Sequence, residues 1–199
     1  MDSYAPAVER LIEQFHKLPG VGRKSAVRMA FYILGAKEET AAAFAEAVVE
    51  AKRVIHRCPV CGDLTDRELC RICSDPERDH GVICVVSDPK DAAAIERTRD
   101  YRGVYHVLHG VINPINRVGP EDIAIRELLD RLKDGNVREI ILATDPDAAG
   151  ETTAMYVAHA ARPTGVRVSR LAYGMSMGSH LEFTDELTLN KALSDRKEF

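Results

Sequence analysis

Four of the five cysteines stand in two Cys-x-x-Cys pairs, Cys58 with Cys61 and Cys70 with Cys73. A two-residue spacer lets two thiolates reach one ion from a tight turn, and two such turns complete a tetrahedral shell with Zn–S distances of about 2.3 Å. Because this shell leaves no position for water, we predict one structural zinc per chain. The alternatives are an iron–sulfur cluster and a redox-active dithiol; the closeness of the two pairs argues against the dithiol.

A second candidate site is the segment 18–25, with the sequence LPGVGRKS, which lies between two helical patterns. Pro19 ends the first helix, and the glycines permit a tight turn into the N-terminus of the second helix. Free backbone N–H groups at that N-terminus favour binding of an anion. Lys24 and Arg28 are four residues apart, so both can flank this anion from one side of the helix. We predict sequence-independent contact with DNA phosphates. The residues expected to make it are Gly20, Gly22, Arg23, Lys24 and Arg28.

The hairpin segment has two other interpretations. An ordinary helix–turn–helix corner would use the same glycines for turn geometry alone. A nucleotide-binding P-loop is excluded, because that motif needs glycine directly before Lys-Ser, where Arg23 stands.

The charge distribution bears on the same segment. The chain has a net charge of −4, which excludes a uniformly basic nucleic-acid coat. Residues 14–37, however, contain five Lys or Arg and no acid. A concentrated basic segment on an acidic protein indicates one directed contact with an anion, although a solvated helix face is the alternative. The sequence has neither a run of about 20 apolar residues nor a signal-peptide pattern, so we expect neither membrane insertion nor secretion.

Carboxylates follow the apolar run 140–142, at Asp145, Asp147 and Glu151. Ligand sites in parallel α/β sheets lie at the carboxyl ends of strands. With an acid from the segment 87–91, these residues would hold Mg²⁺ beside a phosphate, and we expect weak binding at most. The alternative is that Asp147 and Glu151 favour the start of a helix through capping and the helix dipole.

These sites need elements to position them. Helical patterns cover about 8–15, 23–34 and 39–55, and a short cysteine-containing knot covers 56–75. From residue 81 onwards short apolar strands alternate with helical segments. We expect strands at 82–86, 104–108, 140–142 and 166–171, and helices at 91–97, 122–133 and 151–161. This alternation predicts a parallel sheet covered on both faces, whereas residues 172–199 show little regular pattern.

The order of these parts resembles the RecR family of bacterial recombination mediators. A Leu-Pro-Gly-Val-Gly hairpin precedes a four-cysteine knot, which precedes an α/β domain of Toprim type. The likeness extends through the whole chain. The segments that carry it, besides the cysteines, are 18–31, 89–91, 95–98, 105–110, 119–120, 141–144, 150–151 and 181–189.

The resemblance implies a multi-domain α/β protein. The expected parts are a helical domain with a helix-hairpin-helix at 1–55, a four-cysteine zinc finger at 56–75, a Toprim domain at 80–174 and a tail at 175–199. It also implies a non-catalytic, cytoplasmic and nucleoid-associated DNA-binding protein that forms ring-shaped homodimers or homotetramers. RecO- and RecF-like partners would help it to load the RecA recombinase during repair. The family's DNA-contacting hairpin positions match Lys24 and Arg28.

Some positions depart from the family pattern. Ser87 stands where Toprim enzymes have a glutamate after the first strand, which weakens any metal site. RecR chains often have Asn-Pro where this one has Asp145-Pro146, and Val-Glu where it has Ala148-Ala149. The latter change removes an acid expected to contact a RecO-like partner. Residues 181–186 lack the continuous apolar strand of a Walker B segment, so we predict no ATP hydrolysis.

The sequence also allows two other functions to be considered, an enzyme of Toprim type and a transcription regulator. A Toprim metal-dependent nuclease or topoisomerase-like enzyme would use the acids after the third strand, but no tyrosine or base is well placed in the sequence. A zinc-stabilised transcription regulator would need a recognition helix rich in Arg, Asn and Gln, which the chain lacks.

Overall fold

A computed structural model describes residues 4–196 of the chain. The chain divides into two compact units, Met1–Ile55 and His56–Phe199. The first is helical, and the second combines a small cysteine knot, a four-stranded parallel sheet and a C-terminal segment. This arrangement confirms the predicted fold class. Among the residues that the structure describes, no helix is long and apolar enough to cross a membrane.

The N-terminal unit contains helices α1 (Pro6–His16), α2 (Arg23–Gly35) and α3 (Glu38–Val54). Its core is small: Ile12 of α1 is fully buried against Ala26 and Ala30 of α2. The two alanines let the helices approach closely around Ile12, and partly buried apolar side chains of both helices and the turn pack against this cluster. The apolar side chains of α2 are only partly buried, because Met29 is exposed.

Helix α3 buries none of its residues. The side chains of Phe44, Val48 and Val49 are 49%, 57% and 67% exposed. Phe44 contacts Phe15 of α1, with ring centroids 6.4 Å apart, whereas the side chains of Val48 and Val49 are more than half exposed. An amphipathic helix normally buries its apolar face, so this face is available to another molecule.

The second unit begins with a two-stranded antiparallel ribbon of β1 (His56–Arg57) and β2 (Leu64–Thr65). The parallel sheet contains β3 (Asp79–Val86), β4 (Gly103–Val107), β5 (Glu139–Leu142) and β6 (Arg167–Arg170) in the order β4-β3-β5-β6. Strand β3 is central, and its Ile83, Val85 and Val86 are fully buried. Helices α4 (Pro89–Glu96), α5 (Ile125–Leu132) and α6 (Ala148–Ala161) connect consecutive strands. The alternating pattern therefore predicted the sheet correctly.

The C-terminal segment contains a helix that the sequence pattern did not indicate, α7 (Glu186–Ser194). Asp185 caps it by accepting a hydrogen bond from the Thr188 backbone N–H at 2.9 Å. The helix has only nine residues, none of them buried, and it follows the last strand, so neither periodicity nor the strand–helix alternation indicated it.

Candidate nucleic-acid interface and zinc centre

The four cysteine sulfurs converge on one point. One sulfur from each of Cys58, Cys61, Cys70 and Cys73 lies within 4.8 Å of all the others, and the Cys61 and Cys70 sulfurs are 3.5 Å apart. A tetrahedral zinc site with Zn–S bonds of about 2.3 Å has sulfur–sulfur edges of about 3.8 Å, so the spacing fits zinc. Within residues 4–196 no other group of His, Cys, Asp or Glu brings three metal ligands together.

Backbone geometry in the knot suits thiolate ligands. The backbone N–H of Cys70 points to Cys58 Sγ at 3.5 Å, and that of Cys73 points to Cys70 Sγ at 3.4 Å. Such donors disperse the negative charge of a ligating sulfur. Gly62 has a φ of +78°, and a Cβ there would lie 3.0 Å from the Val107 carbonyl oxygen. Glycine at this position therefore allows both the turn and its close approach to the sheet.

The knot is hydrogen-bonded to the edge strand of the sheet. The Val107 N–H donates to the Cys61 carbonyl at 2.8 Å, and His109 Nε2 donates to the Gly62 carbonyl at 2.7 Å. These bonds occupy part of the free edge of β4, which would otherwise be exposed. The cysteine knot is therefore attached directly to the sheet.

Arg131 of α5 is a counter-charge that the sequence did not reveal. Its guanidinium donates to the Tyr105 carbonyl at 2.8 Å and to His106 Nδ1 at 3.2 Å, and it lies close enough to interact electrostatically with all four cysteines. His106 donates from Nε2 to the Ala124 carbonyl at 2.7 Å, and burial lowers its pKa to about 4. His106 is thus neutral, and its Nδ1 can accept a hydrogen bond from Arg131. The positive charge of Arg131 offsets the negative charge of a four-thiolate zinc site.

The hairpin between α1 and α2 presents an open helix N-terminus. Gly20 has a φ of +77°, and Gly22 is the N-cap residue of α2. No side chain caps this helix, and its first turn contains no acid. A Cβ at Gly20 or Gly22 would meet nothing within 4 Å, so the turn faces open space. The geometry leaves the first backbone N–H groups of α2 available to an external acceptor.

The three basic residues of the hairpin are not equivalent. Lys24 and Arg28 are exposed, and neither has an ion pair with any residue in 4–196. Arg23 instead forms a salt bridge with Glu9 of α1, whose side chain is only 12% exposed. Arg23 therefore ties the hairpin to α1, whereas Lys24 and Arg28 keep their charge free for an anion.

The acids after β5 are separated by their hydrogen bonds. Asp147 is the N-cap residue of α6 and accepts from the Gly150 N–H at 2.7 Å. Glu151 accepts from Arg170 of β6 at 2.6 Å and from the Tyr173 hydroxyl at 2.6 Å. Asp145 is exposed. Capping by Asp147 agrees with the structural alternative for this segment, and the three carboxylates do not form a group of converging ligands in the described part of the chain.

Arg170 and Tyr173 also change the electrostatics of Glu151. The hydrogen bond from Tyr173 and that from Arg170 hold the pKa of Glu151 below its ordinary range. Arg170 further donates to Thr144 Oγ1 at 2.8 Å and to the Leu142 carbonyl at 3.3 Å. The guanidinium thus lies at the carboxyl end of β5, and its positive charge opposes a divalent cation beside Glu151.

The acids after β3 are also used locally. Asp88 accepts from the Lys90 N–H at 2.9 Å, and Asp91 accepts from the Asp88 N–H at 3.0 Å, which together form a capping box for α4. Ser87 is buried, and its hydroxyl has no hydrogen-bond partner in the structure. Strand β3 is therefore followed by helix-capping acids and a hydroxyl, and among the described residues its acids do not converge with those after β5 into a group of three ligands.

Comparison with protein families accounts for nearly the whole chain. Residues 8–52 match the RecR helix-hairpin-helix model, 55–75 the RecR four-cysteine zinc finger model and 174–197 the RecR C-terminal model. Residues 81–172 match a Toprim domain model.

The chain belongs to the RecR family.

Membership of the RecR family identifies the cysteine site and indicates the biological role of the chain. The convergent cysteines are those of the RecR four-cysteine zinc finger, which confirms one structural zinc. The RecR domains support a role in DNA binding, recombination and repair as a recombination mediator. They point to a non-catalytic protein, although Toprim domains also occur in enzymes.

Several residues near the candidate sites of this RecR chain could not be predicted from its sequence. Arg131 stands beside the cysteines, and Arg170 and Tyr173 engage Glu151, yet no motif or spacing marks them. The C-terminal segment, which looked irregular, matches a RecR model of its own. A weak signal existed for Arg170 only: it ends a strand at the same sheet edge as the acids.

Proposed function

We propose that this RecR-family chain is a sequence-independent DNA-binding recombination mediator without catalytic activity of its own. The observation that carries the proposal is the open N-terminus of α2, whose first turns carry two cations without an ion pair to any residue in 4–196. The residues proposed to bind DNA are Gly20, Gly22, Arg23, Lys24 and Arg28. Because such contacts reach phosphates and not base edges, binding does not depend on sequence.

The contributions of these residues differ. The turn at Gly20 and Gly22 lets a phosphate approach the backbone N–H groups of α2 without side-chain obstruction. Lys24 and Arg28, four residues apart on a helix, flank that phosphate. Arg23 contributes mainly its backbone N–H, because Glu9 already holds its guanidinium.

The absence of catalysis is supported by the carboxyl edge of the sheet. Ser87 offers a hydroxyl in place of an acid, Asp147 caps a helix, and Arg170 holds Glu151. Of the three acids after β5, Asp145 alone is exposed and does not cap a helix, so we expect weak Mg²⁺ binding at most. A nuclease or topoisomerase-like role remains an outcome that an activity assay would reveal.

Assembly and partners extend the proposal. The exposed apolar side chains of α3 suit a second copy of this chain, in keeping with a ring-shaped homodimer or homotetramer around DNA. RecO- and RecF-like proteins are the proposed partners in loading the RecA recombinase at the chromosome, in the cytoplasm and associated with the nucleoid. Family membership supports this role, and we assign no residue to the partner contacts.

The test is DNA binding by the double variant Lys24→Ala with Arg28→Ala. We expect its affinity for labelled duplex and single-stranded oligonucleotides at low salt to fall roughly tenfold or more, because two phosphate-facing cations are lost. The slope of log K against log salt should also become shallower by about 0.7–0.9 for each lost contact. Fluorescence anisotropy across a salt series measures both quantities.

The matched control is Lys52→Ala with Arg53→Ala, which removes the same charge from exposed positions of α3 in the same unit. Control binding should stay near that of the unmodified protein. Equal losses in both variants, or unchanged affinity in Lys24→Ala with Arg28→Ala, would refute the hairpin as the contact. Strand cleavage that requires Mg²⁺ and is abolished by Asp145→Ala would replace the proposal with an enzymatic one.

A further inference from the structure

A basic cavity lies within the unit His56–Phe199, which does not contain the hairpin residues. It is an open depression of about 300 Å³, lined by Arg71 of the cysteine knot and by Ala93, Glu96, Arg97 and Arg99 of α4 and the loop that follows. Two different structural elements thus direct arginines into one concave surface.

The charge of this cavity is strongly positive. Its single acid, Glu96, is already compensated, because Arg78 donates to both carboxylate oxygens at 2.8 and 2.7 Å and the Tyr105 hydroxyl donates at 2.7 Å. Arg71, Arg97 and Arg99 have no ion pair with any other residue that the structure describes. Arg71 acts electrostatically on Glu96, but Arg78 already compensates that carboxylate. Three arginines against one compensated acid leave the cavity with a net positive charge.

The end of α4 explains how two of these arginines line the same space. The helix ends at Glu96 with Arg97 as its C-cap residue, and Arg99 donates its N–H to the Glu96 carbonyl at 3.1 Å. Arg99 has a φ of +64°, a left-handed conformation that turns the chain back after the helix. Ala93, one turn before the helix end, leaves the space above it open.

A purely structural explanation covers only part of this arrangement. Cations at a helix C-terminus are favourable because they offset the helix dipole, which accounts for Arg97. Arg71 belongs to the cysteine knot and not to α4, so the dipole does not account for its presence in the cavity. Convergence of cations from two elements is the pattern of an anion site.

We propose that the cavity lined by Arg71, Arg97 and Arg99 binds the phosphodiester backbone of DNA as a second contact. This inference rests on the proposed function, since it takes DNA as the ligand. Guanidinium groups match phosphate oxygens in a planar, bidentate geometry. None of the lining residues is aromatic, so the contact involves the backbone and not stacked bases.

The openness of the site favours a polymer over a free ion. All three arginines are exposed, and exposed ion pairs are weak because water screens them. A polynucleotide gains additional affinity by releasing counterions along its length, whereas a single phosphate ion does not. The cavity is therefore expected to bind DNA appreciably and inorganic phosphate poorly.

The experiment compares DNA binding by two independent kinds of variant. Arg97→Ala with Arg99→Ala removes two cations, and Ala93→Glu adds a carboxylate to the cavity while keeping every arginine. We expect anisotropy with labelled oligo-dT to show roughly tenfold weaker binding for the double variant. Its salt slope should be shallower by about 0.7 per lost contact. Ala93→Glu should also weaken binding, roughly threefold or more.

Matched controls separate charge from fold and bulk. Ala93→Gln has the size of Ala93→Glu without its charge, and Arg162→Ala removes one charge from an exposed position elsewhere in the same unit. Both should bind oligo-dT as the unmodified protein does. Because glutamate and glutamine are good helix formers, the Ala93 pair tests the cavity even if the arginine variant folds poorly.

The outcomes distinguish this inference from the proposed function. Unchanged affinity and salt slope in both Arg97→Ala with Arg99→Ala and Ala93→Glu, alongside weakened binding in Lys24→Ala with Arg28→Ala, would overturn the cavity and leave the hairpin. The reverse result would overturn the hairpin alone. Calorimetric titration with inorganic phosphate tests whether the cavity binds a free anion. Tight phosphate binding, together with oligo-dT affinity that the cavity variants do not change, would mean that the cavity is a small-anion site and not a DNA contact.

Discussion

Single residues of one type play different roles here because their neighbours differ. Arg23 and Arg28 both lie on α2, yet Arg23 is paired with Glu9 while Arg28 has no ion pair within the described part of the chain. Asp147 caps α6 while Asp145 is exposed two residues earlier. A charge that is already compensated contributes little to a new ligand, so the free side chains are those expected to bind.

Gly150 is a position where one methyl group should matter. It is buried in the first turn of α6, and a Cβ there would lie 2.1 Å from the Asp145 carbonyl oxygen. Alanine favours helices by about 1 kcal/mol over glycine, but the clash with backbone outweighs this gain. We expect Gly150→Ala to lower the free energy of unfolding by roughly 1–3 kcal/mol, measured by urea denaturation.

The control for that substitution is Gly35→Ala at the end of α2, where a Cβ would meet nothing within 4 Å. Its stability should be unchanged or slightly higher. Equal stability of Gly150→Ala and the unmodified protein would mean that the loop before α6 relaxes without cost.

Glu96 should give the protein a pH-dependent stability. The hydrogen bonds from Arg78 hold the pKa of Glu96 below its ordinary range, and both side chains are only 14% exposed. A lowered pKa stabilises the fold above the unfolded-state value of about 4.3, and this contribution disappears as the pH falls through the folded-state pKa. We expect Glu96→Gln to lose roughly 1–3 kcal/mol of unfolding free energy at pH 7 and less near pH 3.

Urea denaturation at several pH values measures that difference. The control is Asp130→Asn, because Asp130 pairs with Lys133 in an exposed salt bridge that should contribute little. A Glu96→Gln effect that is the same at pH 7 and pH 3 would show that lost packing, and not charge, explains it.

At the scale of elements, the cysteine knot and strand β4 form one cooperative part. The Cys61 and Gly62 carbonyls accept hydrogen bonds from Val107 and His109, so the order of the knot is transmitted to the sheet edge. Arg131 from α5 adds an electrostatic link between the cysteines and the helix layer. Zinc should therefore stabilise more than its own loop.

Metal removal tests this coupling. We expect about one zinc per chain by elemental analysis, and loss of that zinc in Cys61→Ser or on chelation. Amide hydrogen exchange in the knot and at Val107 should then become faster by roughly tenfold or more, because the hydrogen bond to Cys61 is loosened.

Cys84→Ala serves as the control for metal removal, since Cys84 is buried in β3 and is not one of the four converging cysteines. It should keep its zinc. Unchanged exchange at Val107 after complete metal loss would contradict the coupling between knot and sheet.

Assembly is a property of the whole molecule, and the apolar face of α3 is one exposed surface of the described residues that could take part in it. Phe44 and Val48 are four residues apart on this helix and about half exposed. We expect Val48→Asp to shift the assembly towards smaller species by at least tenfold in dissociation constant, because a charge would enter an apolar interface. Light scattering or native mass spectrometry over a concentration series measures the shift.

Glu50→Gln on the same exposed helix is the matched control and should assemble as the unmodified protein does. If Val48→Asp leaves the assembled mass unchanged, another surface must hold the copies together. Such a result would leave the hairpin and the zinc centre unaffected, because neither depends on the apolar face of α3.

Much of the architecture was accessible from sequence because its signals are local. The zinc ligands come from one short segment, so spacing alone predicted their convergence, which the structure confirms. The hairpin glycines are an equally local pattern. So is the alternation of apolar strands with helices, which predicted the parallel sheet. Helix α7 was missed because it has only nine residues and follows the last strand, outside the strand–helix alternation that indicated α4 to α6.

Only the tertiary structure decided which charges are free. Arg23 meets Glu9, Arg170 meets Glu151, and Arg78 meets Glu96, and each pair joins residues from different parts of the chain. The same is true of Arg71, which reaches the cavity of Arg97 and Arg99 from the cysteine knot. Sequence establishes which side chains exist and how neighbours along a helix or turn are spaced. Whether a charge meets a partner depends on packing between distant segments, which spacing along the chain does not encode.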